Sequence, residues 1–544
     1  MSEASFLERA RLREPHQLPA LLGRPFDELV LEKEELVSLN PKAKQSLKKY
    51  FPQSSDQPLL KATKGRGTPN LPLKVGVVLS GGQAAGGHNA IAGLFDALKK
   101  MHPESSLFGF LDGPLGLIEN RNIEITLELV DRYRNMGGFD MLGAGRTKIE
   151  TKTQFDQCAH TTEELELDGL VIIGGDDSNT SAALLAEDFL TRKLKTSVVG
   201  VPKTIDGDLK NEFVEISFGF DTASKTYSEA IGNILRDAIS AKKYYFFIKL
   251  MGRTASHLTL ECALQTHPNL ALIGEEIEQL KLTFQDVTKI IADLIEKRSA
   301  RGKDYGVILI PEGLIEFIPE FKKLINELNH LHAKKDLGQL ENDLTPESYR
   351  CFNSLPESFK EQLLLERDSH GNVQVSKIET ERLFIHAVEA ELKKRDNFTS
   401  KLSTQPLFFG YEGRSGFPTN FDASYCYALG FTATLLIAKG ATGYMSSLKN
   451  LTAPINEWIA GGVPITSMMN LEIRKGKETP VIAKALVNLE GVVFQKFKAL
   501  RETWKIEDDY RYPGPIQFFG PEELTDSTTL TLKLESNFKR ENKW

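Results

Sequence analysis

Short apolar runs that stop at glycine alternate along this chain with longer stretches whose apolar positions recur every three or four residues. Gly169–Ile173 is the clearest run and predicts a strand buried on both faces. Gly174, Gly175, Asp176 and Asp177 follow it. Ser178 is then placed to cap an amphipathic helix with Ala182, Leu184, Leu185, Phe189 and Leu190 on one face. Lys74–Ser80 opens the same unit earlier: a strand, the glycine-rich stretch Gly81–Asn89, and a helix that aligns Ile91, Leu94, Phe95 and Leu98. Ser106–Leu111, the run from Ser197, Tyr244–Leu250, Ala271–Gly274 and Tyr305–Ile310 predict further strands. Strand, glycine turn and helix in alternation predict an α/β protein.

Three stretches break the alternation. Residues 1–73 are charged, predict only local helix, and end in a Lys/Gly/Arg/Pro-rich connector, Lys61–Pro72, so they form an extension. Residues 318–404 read as a helical insertion with Ile378, Ile385, Val388 and Leu392 at helical spacing, and its many charges predict a solvated face. Phe408–Arg414 returns to strand and turn, Tyr425–Ala438 predicts a helix, and a mixed remainder ends in a charged tail at Trp544. The resulting division is 1–73, 74–220, 221–420 and 421–544.

Composition narrows the class. A net charge of -7 gives no basic field for nucleic acid or for an anionic membrane. The four cysteines are scattered without a CxxC pair, which fits a reducing cytosol better than a disulfide scaffold or a zinc site. No membrane-spanning run and no signal peptide are expected, so the predicted location is cytoplasmic.

The glycine turns carry the chemistry. A glycine loop at a helix N-terminus binds anions, because free N–H groups and the helix dipole face the ligand. Asp176 and Asp177 in such a loop imply a cation between carboxylate and phosphate, or an anion that must be kept out. Lys203, Thr204, Asp206 and Asp208 follow the strand from Ser197, at the end where open α/β sheets bind ligands. Arg146, in the Gly143-Ala-Gly-Arg146 turn, reaches phosphate or is an ordinary surface charge. The loops together predict phosphoryl transfer, which needs donors and cations around the transferred group, a metal on phosphate oxygens and a base for the attacking hydroxyl. Asp176 suits Mg²⁺, Asp206 suits the base, Lys203 suits neutralisation of developing charge, and Arg253 suits a phosphate on the acceptor.

Taken in order, Gly81-Gly-Gln-Ala-Ala-Gly-Gly-His-Asn89, Gly174-Gly-Asp-Asp-Ser-Asn179, Pro202-Lys-Thr-Ile-Asp-Gly-Asp208, Met251-Gly-Arg253, Pro311-Glu-Gly313 and Tyr411-Glu-Gly-Arg414 resemble the phosphofructokinase family in its long, pyrophosphate-dependent type. The resemblance runs from about Lys74 to Gly520 and includes Glu366-Arg-Asp-Ser-His-Gly-Asn372 in the insertion. It implies two Rossmann-like lobes with the site between them, helical additions at the N-terminus, insertion and C-terminus, and reversible transfer from pyrophosphate to the 1-hydroxyl of fructose 6-phosphate in glycolysis or gluconeogenesis. Carried over residue by residue, it implies that Gly82 contacts pyrophosphate, Asp176 holds Mg²⁺ and Asp206 accepts the hydroxyl proton. Thr204, Ile205, Asp206, Asp208, Met251, Gly252 and Arg253 would contact substrate, and Glu312 would bind sugar hydroxyls. Tyr411, Glu412, Gly413 and Arg414 would hold the 6-phosphate. Lys243 and Tyr244 match positions given across a subunit interface, implying a homodimer, although Lys243 also reads as a solvated lysine before a strand.

ATP-using relatives carry glycine in place of Asp177 and of Lys203. A carboxylate at 177 repels the α-phosphate of a nucleotide, and Lys203 supplies a cation to the smaller donor. One departure is Ala85, where the family usually has proline, and it predicts a loop with less preorganisation. Two alternatives stay open at this stage: an ATP-dependent 6-phosphofructokinase, and a non-catalytic regulatory subunit that binds sugar phosphate.

Overall fold

Val77 and Val78 are neighbours in sequence and belong to opposite cores, which is why the strand between Lys74 and Leu79 has no polar alternation. A computed structural model describes residues 6–36, 45–67, 70–333, 343–367, 373–474 and 477–515. The last five residues of the insertion motif, Asp368–Asn372, and the tail from 516 lie outside the described residues.

The described residues build a ten-stranded and a four-stranded sheet, with a small hairpin beside them. The strands of the large sheet, in chain order, are β1 (Leu29–Glu34), β2 (Leu59–Lys64), β3 (Lys74–Leu79), β4 (Ser106–Phe110), β5 (Asn122–Glu124), β6 (Gly169–Gly174), β7 (Ser197–Thr204) and β8 (Phe218–Gly219). Four parallel strands follow in the second sheet: β9 (Tyr245–Leu250), β10 (Leu270–Ala271), β11 (Gly306–Pro311) and β12 (Thr404–Phe409). β13 (Tyr444–Lys449) and β14 (Ile459–Pro464) return to the large sheet, and β15 (Met469–Arg474) and β16 (Lys477–Ile482) form the hairpin. The large sheet runs β1-β2-β14-β13-β7-β6-β3-β4-β5, with β8 on β7, and the second runs β10-β11-β9-β12.

Helices cover both faces of the large sheet. Gly87–Met101 and Asn420–Ala438 lie on one side, against Val77, Val171 and Val199. Asp176–Arg192 and Lys152–Glu164 lie on the other, against Val78, Ile172 and Val198. The first two helices approach closely, because a Cβ on Gly93 would meet the Tyr427 carbonyl oxygen at 2.1 Å and one on Gly430 the Ala90 carbonyl oxygen at 2.3 Å. Asn420–Ala438 is long and apolar enough by composition to cross a membrane, contrary to the expectation that no run is, yet 89% of it is buried here as a core helix.

Three further expectations are corrected. Residues 1–73 are not simply locally helical: after the Phe6–Arg13 helix they supply β1 and β2, and β2 pairs antiparallel with β14 through Lys61↔Gly461 and Leu60↔Gly462. Lys61–Lys64 is therefore strand, not connector. The insertion is not only a solvated surface, since Leu324, Phe359, Phe384 and Val388 form one core with Phe247 and Ile308 of the second sheet. Its charge also goes inward: the Lys249 ammonium, buried on β9, donates to the Ile378 carbonyl at 2.9 Å and lies 3.5 Å from Glu381. Finally, Ser178 caps nothing. The helix starts three residues earlier than a Ser178 cap would place it, with Gly175 at the N-cap, and the Ser178 hydroxyl donates to Ser80 Oγ at 2.8 Å instead.

Candidate active site

The C-terminal ends of β3, β6 and β7 face those of β9, β11 and the turn after β12 across a cleft of about 330 Å³. Lys203 and Thr204 are the last two residues of β7, still paired with β8, whereas Gly81, Gly82, Asp176, Asp206, Met251, Arg253 and Glu312 lie just past the ends of their strands.

On the large-sheet side, Gly81 and Gly82 follow β3, and Gly81 has φ +87°, a conformation that glycine adopts without strain. A Cβ on Gly82 would sit 3.0 Å from Arg414 Nη1 and 3.4 Å from Arg146 Nη2, and one on Gly81 3.3 Å from the Lys203 ammonium. Arg146 and Lys203 thus converge on a backbone kept bare of side chains, a cradle for phosphate oxygens, and Arg414 reaches its edge from the second-sheet side. The loop that carries Ala85 is tied down: Gly81 N–H donates to the Gly145 carbonyl at 2.8 Å, and Gly86 N–H to that of Gly137 at 3.0 Å. Lys203 is 7% exposed, and burial pushes its ammonium down to about 8, with Arg146 and Arg414 acting the same way and Asp206 and Asp176 opposing.

Asp176 and Asp177 occupy the first turn of their helix, at the positive end of its dipole. Burial raises the Asp176 carboxyl, helped by Asp177 and Asp208, while Lys484 opposes from 3.7 Å. Asp177 is half exposed and lies 3.4 Å from Lys148. Past β7, Thr204 Oγ1 accepts the Asp206 N–H at 3.1 Å and donates to Asp208 Oδ1 at 3.3 Å. Thr254 Oγ1 donates to the other Asp208 oxygen at 2.6 Å. Asp208 is thereby held by hydroxyls on both sides. Burial pushes Asp206 up to about 7, with Asp208 and Glu312 adding to it and Arg253 opposing.

On the second-sheet side, Glu312 is 1% exposed. Its Oε2 accepts the Gly252 N–H at 3.0 Å, while Oε1 is buried and accepts no hydrogen bond among the described residues. Arg414 Nε is likewise buried without an acceptor, and its guanidinium stacks 4.6 Å from the Tyr411 ring. Buried polar atoms are rarely left so, and an acceptor and a donor facing one cleft are what a sugar hydroxyl and a phosphate oxygen would satisfy.

Among the residues singled out from sequence, Gly82, Arg146, Asp176, Asp177 and Lys203 line the cleft with Thr204, Ile205, Asp206 and Asp208. Met251, Arg253, Glu312, Tyr411 and Arg414 line it from across. Five do not. Gly252 has φ +131° and serves the turn and Glu312. Glu412 is exposed, and Gly413 packs where a Cβ would meet the Tyr227 ring at 2.4 Å. Lys243 and Tyr244 lie at the opposite end of β9, with the Lys243 ammonium 4.9 Å from the Tyr244 ring. Sequence reasoning missed Lys148, Lys484 and Thr254, and also Gln374 and Ser376 of the insertion, all of which line the cleft. Lys148, two residues past Arg146, and Thr254, next to Arg253, were within reach of the motifs. Lys484 follows β16, and nothing local marks it.

Among the described residues no three His, Cys, Asp or Glu side chains are grouped to cage a metal. Asp176 fits Mg²⁺ in the way that ion binds beside phosphates, through one or two carboxylates with phosphate and water completing the shell. The Lys484 ammonium beside it marks the position as one that draws a cation.

The phosphofructokinase family model matches residues 74–437. The chain is 50% identical to pyrophosphate–fructose 6-phosphate 1-phosphotransferase of Porphyromonas gingivalis, over 98% of this chain and 99% of that one. It is 51% identical to subunit beta 1 of the Arabidopsis thaliana enzyme of that name, over 97% and 94%. Against subunit alpha of the Solanum tuberosum enzyme the identity is 40%, over 95% and 87%. Among solved structures, a pyrophosphate-dependent phosphofructokinase from Nitrosospira multiformis shares the fold at a TM-score of 0.54 and 14% identity, over 84% of this chain and 98% of that one.

Proposed function

The chain belongs to the phosphofructokinase family, and from that premise we propose that it transfers a phosphoryl group from pyrophosphate to the 1-hydroxyl of D-fructose 6-phosphate. The products are D-fructose 1,6-bisphosphate and phosphate, and the reaction runs both ways and serves glycolysis or gluconeogenesis. Near-full-length identity to enzymes of that name supports the reading. The observation that carries it is the buried Lys203 ammonium beside Gly81, with Asp177 in the first turn of the neighbouring helix. A short anionic donor meets a cation there, while the α-phosphate of a nucleotide would meet a carboxylate.

In this reading Gly82, Arg146 and Lys203 seat the pyrophosphate. Arg414 and Tyr411 take the 6-phosphate, and Glu312 accepts a sugar hydroxyl on its unpartnered oxygen. Arg253 and Met251 orient the acceptor. As O1 attacks phosphorus, its proton passes to the Asp206 carboxylate. The new O1–P bond forms as the bridging P–O bond breaks, and the departing phosphate keeps that electron pair. Asp176 would hold Mg²⁺, which when bound neutralises charge on the phosphate oxygens. Asp208, gripped by Thr204 and Thr254, keeps the Asp206 turn in register. A cytoplasmic homodimer completes the proposal, with Lys243 and Tyr244 serving the neighbouring subunit; scattering in solution checks the mass.

The test offers pyrophosphate and ATP in parallel to the purified chain with Mg²⁺ and fructose 6-phosphate. Turnover with pyrophosphate alone is expected, and Asp177→Gly with Lys203→Gly should shift preference toward ATP. Turnover with ATP in the unaltered chain would make it an ATP-dependent 6-phosphofructokinase. Silence with both would return it to a regulatory subunit.

A further inference from the structure

The N-terminal helix reaches the edge of this site through one buried side chain. Arg11 is 8% exposed. Its Nε donates to the Asn135 carbonyl at 3.0 Å and its Nη2 to the Pro418 carbonyl at 2.5 Å, while the guanidinium lies 5.2 Å from the Phe417 ring. Neither acceptor lines the cleft, but each lies on a segment that connects to a different side of it. Asn135 follows β5 of the large sheet, and Pro418 is four residues past Arg414, after β12 of the second sheet.

Both segments touch the phosphate cradle. On the Asn135 side, the Asn135 side chain donates back to the Arg11 carbonyl at 2.8 Å and accepts from Asn89, in the helix that follows the glycine loop, at 2.7 Å. The Gly137 carbonyl, two residues on, accepts the Gly86 N–H. On the Pro418 side, Ser415 Oγ accepts from the Gln83 side chain at 3.2 Å, next to Gly82. A Cβ on Gly137 would lie 3.3 Å from the Gly416 carbonyl oxygen, so the two loops already run side by side. Their carbonyl oxygens would otherwise be buried without a charge to face. A guanidinium forks its donors in a fixed plane and can satisfy two such oxygens at a set separation.

We propose that Arg11 is a positioning residue: it clasps the loop behind the glycine cradle to the loop behind Arg414, and so fixes the spacing between the two phosphate sites. This rests on the reading of Arg414 as the ligand of the acceptor's phosphate. A helix merely anchored by Arg11 would give a different signature from a clasp. Losing an anchor lowers thermal stability and active fraction. Losing the clasp loosens Arg414 while the donor loop keeps its own backbone ties, so KM for fructose 6-phosphate rises and kcat holds.

The experiment compares full-length Arg11→Ala, Arg11→Lys and Arg414→Ala in steady state with pyrophosphate as donor. Arg11→Ala should raise KM for fructose 6-phosphate about five-fold with kcat changed less than about two-fold, in line with couplings carried through packed networks. Arg11→Lys, which keeps the charge without the fork, should fall between, and millimolar guanidinium ion should restore the KM of Arg11→Ala. An unchanged KM in both Arg11 variants, or a fall in kcat that tracks lost stability without rescue, overturns the clasp. If Arg414→Ala leaves the KM unchanged, the phosphate site itself is wrongly placed, and the clasp falls with it.

Discussion

Asp206 is buried, with Asp208 and Glu312 near it, and that burial and crowding suit it to the role of base proposed above. A carboxyl pushed up to about 7 holds a transferred proton better than an ordinary one at 3.8. As the proposed base it must be ionised to accept the proton, so kcat/KM should fall on the acid side of about 7, and Lys203, as the proposed cation for the donor, must keep its proton, so it should fall again above about 8. A pH profile of the free enzyme reads both limbs. The same shift bears on stability. A folded-state value above the unfolded 3.8 means that the favourable contribution is complete below 3.8 and lost as pH rises through about 7. Asp206→Asn should therefore cut kcat by ~10²–10⁴ while raising Tm at pH 8, with the gain shrinking toward pH 5; calorimetry at the two values checks the sign. The residues of this scale that were legible in the sequence sit within motifs, because turn geometry ties their roles to their spacing. Lys484 and Ser376 were not, because a hairpin and an insertion bring them to the cleft from far along the chain.

Helices and strands were legible where both faces are buried, since a continuous apolar run has one good explanation in an α/β protein. They were not where a strand is half covered. β1 shows only one fully buried residue, Leu29, and its Glu32, Lys33 and Glu34 are exposed, so its pattern reads as an ordinary charged stretch. Ser178 misled for a related reason: a good capping side chain followed the turn, but the glycine before the two aspartates already supplied the extended backbone that a cap needs. The contact between Gly87–Met101 and Asn420–Ala438 depends on two glycines that face backbone rather than flexible side chains. Gly430→Ala should destabilise the fold by about 1–3 kcal/mol, the usual cost of overpacking, as measured by urea denaturation. The position lies away from the cleft lining, so activity per folded molecule should hold.

The whole molecule makes the N-terminal extension part of the architecture. β2 covers the edge of β14, and the Phe6–Arg13 helix delivers Arg11 to the site's rim. Removing residues 1–66 should expose an unpaired strand edge and yield a chain that aggregates rather than a trimmed active enzyme; exposed edges invite pairing with other chains. Sedimentation of the truncated protein checks this.

The pairing of β2 with β14 joins Leu60 to Gly462. A ribosome making this protein therefore releases one strand some four hundred residues before its neighbour exists. The large sheet cannot close until almost the whole chain has been synthesised, and meanwhile β1 and β2 wait as an open hairpin. Long-range strand pairing of this kind folds slowly and exposes the nascent chain to aggregation. Recombinant yield should thus respond to slower translation and to chaperone supply more than native-state stability alone would suggest.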